Sequence, residues 1–146
     1  MKTGLLVAAI VMVTACQQRA APSVDKAWVR LSAVPGNPAA AYFTLKGGAK
    51  DETLTMVAAP GVARAEMHES MKSGGGMTSM APIKLVAVRA GDTVTFAPGG
   101  KHVMLFGVKP QVQPGTTTLL SFSLGSGQKL MVQARVVGAG DPAPTD

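Results

Sequence analysis

The sequence predicts an all-β fold, an antiparallel sandwich or barrel of about eight or nine short strands. Three observations carry that prediction. Valine and threonine recur in short runs rather than at helical spacing, and long amphipathic helical patterns are absent. The 17 glycines and 10 prolines punctuate those runs at hairpin intervals. The 146 residues, less a leader and a short tail, leave one domain of about 110 to 120 residues, enough for a single core.

Residues 1–16 read as a targeting segment. Lys2 supplies the positive start, and residues 4–15 (GLLVAAIVMVTA) form an apolar run too short for a permanent membrane span. VTAC at residues 13–16 resembles a bacterial lipobox, with Val13 where leucine is commonest. Cys16 is the only cysteine, so no intramolecular disulfide or dithiol chemistry is available. Its position fits lipid attachment, which would anchor the chain to a membrane surface in the cell envelope, on the periplasmic side. Gln17 after the cysteine favours the outer membrane if the host is Gram-negative.

Residues 17–25 form a polar linker, and the domain proper is expected over 26–138. In KAWVRLS (26–32), alternation places Ala27, Val29 and Leu31 on one face and Trp28 and Arg30 on the other. Pro35, Gly36 and Pro38 interrupt the chain before a second strand at 41–47. A third is expected at 52–59, ended by Pro60 and Gly61. Met56 and, later, Met131 fall inside strands and read as core packing.

Residues 62–71 (VARAEMHESM) form a fourth strand with Arg64, Glu66, His68 and Ser70 on one side and Ala63, Ala65, Met67 and Glu69 on the other. His68 therefore sits on a polar face. Gly74, Gly75 and Gly76 mark a hairpin tip, beyond which Met80 can return toward His68. Further strands are expected at 83–88, around VTFAP and in HVMLFGVK, then at 117–124 and 129–137 across a Gly125–Gly127 turn. Residues 139–146 have little to bury and read as a disordered tail.

The formal charge of +6 is scattered, and aromatics make up only 4% of the chain. No basic run with interleaved aromatics occurs, so a nucleic-acid partner is not expected. The residues that carry chemistry are two histidines, each beside methionines: His68 with Met67 and Met71, His102 with Met104. His102 and Met104, at i and i+2 of a strand, project from one face about 7 Å apart. Imidazole and thioether together suit a soft ion such as Cu(I). Thioethers also hold Cu(I) without forming disulfides, although methionine can oxidise. A protonated imidazole loses its ligand lone pair, so acid should weaken such a site.

With these residues identified, the chain resembles the PCuAC family of periplasmic copper chaperones. That family's signature is His, ten residues, Met, twenty-one residues, then His-x-Met. Here twenty-one residues separate Met80 from His102, followed by Val103 and Met104, while eleven rather than ten separate His68 from Met80. The extra residue falls near the glycine-rich tip and leaves Met71 and Met77 as alternative or secondary ligands. The resemblance also covers AWVR (27–30), AAAYFTL (39–45), MHE (67–69), AGDTV (90–94) and APGGKHVML (97–105).

The resemblance implies a cupredoxin-like Greek-key β fold holding one Cu(I) through His68, Met80, His102 and Met104. It further implies delivery to cytochrome oxidase assembly, at the copper centre of subunit II, alongside a Sco-type protein. A monomer is expected. Two other classes compete: a copper sequestration or tolerance lipoprotein without dedicated transfer, and an envelope interaction protein that binds no metal. An enzyme is not expected. A blue-copper electron carrier needs a Cys thiolate, and no recognisable nucleophile motif surrounds Ser70 beside His68.

Overall fold

The computed structural model describes residues 20–72 and 74–145. The expected leader, its lipobox Cys16, the first three linker residues and Asp146 lie outside the described residues. No helix occurs among the described residues. Ten strands follow one another: β1 (Ser23–Arg30), β2 (Ala39–Lys46), β3 (Glu52–Ala58), β4 (Arg64–Lys72), β5 (Thr78–Pro82), β6 (Val86–Val88), β7 (Thr93–Phe96), β8 (Lys101–Phe106), β9 (Thr117–Leu124) and β10 (Lys129–Val137). The all-β expectation holds, and the strand beyond nine is β5, on the return arm of the glycine hairpin.

All ten belong to one sheet: nine follow one hydrogen-bonded path in the order β5-β4-β8-β2-β1-β10-β9-β3-β6, and β7 lies off that path, paired with β2. Its two ends, β5 and β6, are open edges among the described strands. Every pairing is antiparallel except β1 with β10, which run parallel with Val29 opposite Val136. A parallel neighbour requires a long crossover, and here the crossover is most of the domain. The first and last strands thereby close the middle of the sheet.

The core forms where the alternation faces of these strands meet. On β2, Ala39, Ala41, Phe43 and Leu45 are buried, and on β9 so are Leu120, Phe122 and Leu124, the apolar row legible in the sequence. The Phe43 ring stacks on Phe96 at 4.3 Å between centroids and meets Phe122 edge-on at 4.7 Å. Such pairs add to the burial of area itself. Val29 is fully buried, whereas Trp28 and Arg30 take the opposite face of β1. There Trp28 packs on the Tyr42 ring at 4.5 Å with the Arg30 guanidinium over it at 4.8 Å.

Met56 and Met131 do not pack in the core: both are exposed. The register of β3 shifts between Leu54 and Met56, so Leu54 and Val57 face inward and Met56 outward. On β10 the buried positions are Ala134 and Val136, which puts odd-numbered Met131 on the solvent side. Residues 138–145, for which composition predicts nothing to bury, make a turn in which Gly138 N–H donates to Asp141 Oδ2 at 2.7 Å. Arg30 Nη2 donates to the Asp141 carbonyl at 3.1 Å, and Arg135 Nη1 to that of Thr145 at 3.3 Å.

Candidate metal centre

The two histidines come from strands that are adjacent in the sheet but separated by thirty-odd residues in sequence. β4 and β8 pair antiparallel with His68 directly opposite His102 and Glu66 directly opposite Met104. A tight turn at Ala97–Lys101, closed by Gly100 N–H to the Ala97 carbonyl at 3.0 Å, fixes where β8 begins. His102 is then its second residue. Ser70 N–H donates to the Gly100 carbonyl at 3.1 Å, so the even-numbered residues of β4 are the ones hydrogen-bonded to β8. For such pairs the Cα atoms stand about 5.5 Å apart.

The imidazole rings lie 6.1 Å apart and only 21° from parallel. Each is held by a main-chain carbonyl two residues upstream: His68 Nδ1 lies 3.3 Å from the Glu66 oxygen and His102 Nδ1 lies 3.0 Å from that of Gly100. A carbonyl only accepts, so each Nδ1 carries a proton, and in the neutral ring the lone pair is then on Nε2. A second hydrogen bond of this kind sets the tautomer of metal-binding histidines. Two neighbouring Nε2 atoms are thus left facing the same side of the sheet.

Both rings are more enclosed than a polar strand face suggests: His102 is 8% exposed, and the His68 side chain 13%. They do not fill the core. Met67 and Val103, one residue before and after them, are the buried core residues of β4 and β8, so the histidines occupy the opposite face of the sheet. Met67, adjacent to His68 in sequence, is therefore on the wrong side to join it.

The hairpin register decides among the other methionines. β5 pairs β4 with Pro82 opposite His68, Met80 opposite Ser70 and Ser79 opposite Met71. Residues opposite one another share a face, so Met80 lies on the His68 face, diagonal to it at about 7–8 Å between Cα atoms. Met71 lies on the Met67 face. Met77 precedes β5 in the loop, after Gly75 and Gly76, which adopt positive φ of 97° and 81°. Eleven intervening residues thus deliver Met80 to the same face as His68. Met80 is 56% exposed and Met104 half-buried. One face therefore carries, from edge inward, Met80, His68, His102 and Met104. Met80 and Met104 stand at opposite corners of the histidine pair.

Glu66 belongs to the same face and was not singled out by the sequence. Its Oε2 is 3.9 Å from His68 Nε2, while Oε1 is 2.7 Å from Arg64 Nε. The Arg64 guanidinium in turn lies over the Phe106 ring at 4.4 Å. The signal available was Glu66 two residues before His68, on the same strand face. Among the described residues no three His, Cys, Asp or Glu side chains converge as a metal cage.

A profile of the family described as "Putative lipoprotein LpqE-like" matches residues 23–136. "Putative lipoprotein Lxx21020" of Leifsonia xyli subsp. xyli is 30% identical over 115 residues, 77% of this chain and 68% of that protein. Solved structures that share this fold include PCuAC domains. The copper-bound PCuAC domain from PmoF2 superposes with a TM-score of 0.66 at 17% identity, covering 80% of this chain and 92% of that one. The Cu(I) form of DR1885 from Deinococcus radiodurans does so with a TM-score of 0.60 at 26% identity, covering 82% and 78%.

Proposed function

The chain belongs to the LpqE-like lipoprotein family, and from that premise we propose that it is a Cu(I) metallochaperone of the cell envelope. Copper is its cargo, held by His68, Met80, His102 and Met104. The observation that carries this reading is the His68–His102 cross-strand pair, with each Nδ1 on a main-chain carbonyl and a methionine at each flank of the same face. The likeness to the Cu(I) form of DR1885 supports it.

The donor set explains the choice of metal. Two imidazoles and two thioethers are neutral, so bound Cu(I) keeps its single positive charge, and the Glu66 carboxylate beside His68 offsets it. Soft thioethers favour Cu(I) over harder divalent ions. The asymmetry of burial suits a carrier. His102 is enclosed and holds the ion, while Met80, more than half exposed on an edge strand, is the ligand an acceptor can displace first. Cys16, by this reading, carries lipid and leaves the copper chemistry to methionine and histidine.

Transfer is the step that separates a chaperone from a copper store. The full chain loaded with one Cu(I) is mixed with the apo copper domain of cytochrome oxidase subunit II, with and without a Sco-type protein. Copper is then assayed on each partner after separation. Movement of copper to the oxidase domain supports delivery to oxidase assembly; retention on a chain that binds copper tightly supports sequestration instead.

A further inference from the structure

β5 is bonded to β4 on one side, and its other side is an edge among the described strands. Which of its amides face outward follows from three observations. Ile83 N–H donates to the Met67 carbonyl at 2.8 Å, so the odd-numbered residues of this arm bond to β4. The even residues of β4 are already committed to β8 through Ser70 and Gly100. Pro82, which has no N–H, sits at an even position, where β4 asks for none. The outward main-chain groups of β5 are therefore those of Thr78 and Met80, with Pro82 offering only its carbonyl.

Met80 is thus both a copper-site residue and the centre of an open edge. We propose that an acidic, extended segment of the copper acceptor adds antiparallel to β5 and places a soft donor side chain opposite Met80. This rests on the copper reading above. An added strand would exchange both main-chain hydrogen bonds with Met80, putting its own residue about 5.5 Å away, Cα to Cα. That residue projects on the same face as Met80 and His68. Its thiolate, thioether or imidazole bonds Cu(I) as the Met80 thioether lets go. Copper remains Cu(I), no electron is exchanged, and a thiol donor sheds its proton to water.

Charge selects the occupant. β5 itself (TSMAP) is uncharged. Lys72, opposite Thr78, and Lys84, two residues beyond Pro82, flank its two ends, and neither has a carboxylate within ion-pair distance among the described residues. The nearby carboxylates of β4 are already held, Glu69 by Lys101 and Glu66 by Arg64, each at 2.7 Å. The edge is cationic, so a second copy would bring like charge to like, whereas an acidic segment is attracted.

The test uses the full chain, apo and Cu(I)-loaded. The probe is a synthetic nine-residue peptide alternating Glu and Val around a central Met, with a counterpart carrying Lys for Glu. Amide resonances and hydrogen exchange are followed by NMR. The acidic peptide is expected to protect the Thr78 and Met80 amides. Thr78→Pro removes one outward N–H that β4 does not use. It is expected to weaken peptide binding at least about fivefold, the weight of one main-chain hydrogen bond, and to leave Cu(I) affinity within about twofold. Thr78→Val, which keeps the N–H, should bind as the parent does.

Any of these results overturns the proposal: Thr78→Pro binding as tightly as the parent, perturbations centred away from β5, or the Lys peptide binding equally well. Self-association through β5 in the absence of peptide would assign the edge to a second copy and overturn it too. Should Thr78→Pro fail to fold, amide protection in the unaltered chain decides. Because the apo protein is read as well, peptide binding at β5 without copper binding leaves the edge site and removes the copper reading. Copper binding without protection at β5 does the reverse.

Discussion

Exchanging two neighbouring side chains, Ser79→Met together with Met80→Ser, leaves composition unchanged and moves one thioether through the sheet. Met80 pairs Ser70 on the His68 face, and Ser79 pairs Met71 on the Met67 face. In the parent the Met80 and His68 Cα atoms are diagonal neighbours about 7–8 Å apart, within reach of two long side chains. In the exchanged chain the backbone of β4 and β5 lies between the sulfur and the imidazoles. Both positions are exposed, so stability should change by no more than about 0.5 kcal/mol. Loss of a supporting partner alone commonly costs metal sites about 10- to 100-fold in affinity. Loss of a ligand should therefore cost at least about tenfold, or about 1.4 kcal/mol. Cu(I) competition with a chromophoric chelator reads the affinity, and urea unfolding reads the stability. Unchanged affinity with unchanged stability would refute Met80 as a ligand.

Other consequences are equally direct. Phe43→Ala removes the ring that Phe96 and Phe122 pack against and should lower unfolding free energy by about 3–5 kcal/mol, measured by urea denaturation. Tyr42 is the chain's one tyrosine, so phenolate absorbance reports it alone. Burial raises its pKa above the ordinary 10.0, and the Arg30 charge partly opposes that rise. Its titration midpoint should therefore exceed 10.0 and climb further in Arg30→Met. Since the folded state holds the proton more tightly, this group's contribution is complete below the unfolded value and is lost as pH rises through the folded one. Acidification should weaken Cu(I) binding, because protons compete with copper for each Nε2 lone pair. An affinity that does not change between about pH 7.5 and about pH 5 would count against histidine ligation.

Local pattern revealed some of this architecture and not the rest. The two closing strands, 117–124 and 129–137, are legible to the residue because their alternation and the intervening glycine turn are local signals. So is the division of β1 between Val29 inside and Trp28 with Arg30 outside. β5 was not legible as a strand: five residues with serine and proline have no propensity of their own and are ordered by the register of β4. Met56 and Met131 misled because a bulge and an odd position turn them outward. The parallel β1–β10 pair joins the two ends of the domain, which no local window can report.

The same distinction runs through the site. His102 and Met104 share a face by simple i, i+2 spacing. That His68 lies opposite His102 rather than one residue out of register depends on the pairing of distant strands, and only the structure provides it. The tautomers depend on the carbonyls of Glu66 and Gly100, and the role of Glu66 beside His68 depends on side-chain direction. None of these is a property of composition or spacing.

The most direct test of the copper site is Cu(I) stoichiometry and affinity by chelator competition on the full chain, with His102→Ala and Met104→Ala in parallel. The account predicts one Cu(I) per chain and an affinity at least about tenfold weaker in each variant. Weak binding of equal strength in all three proteins would contradict it.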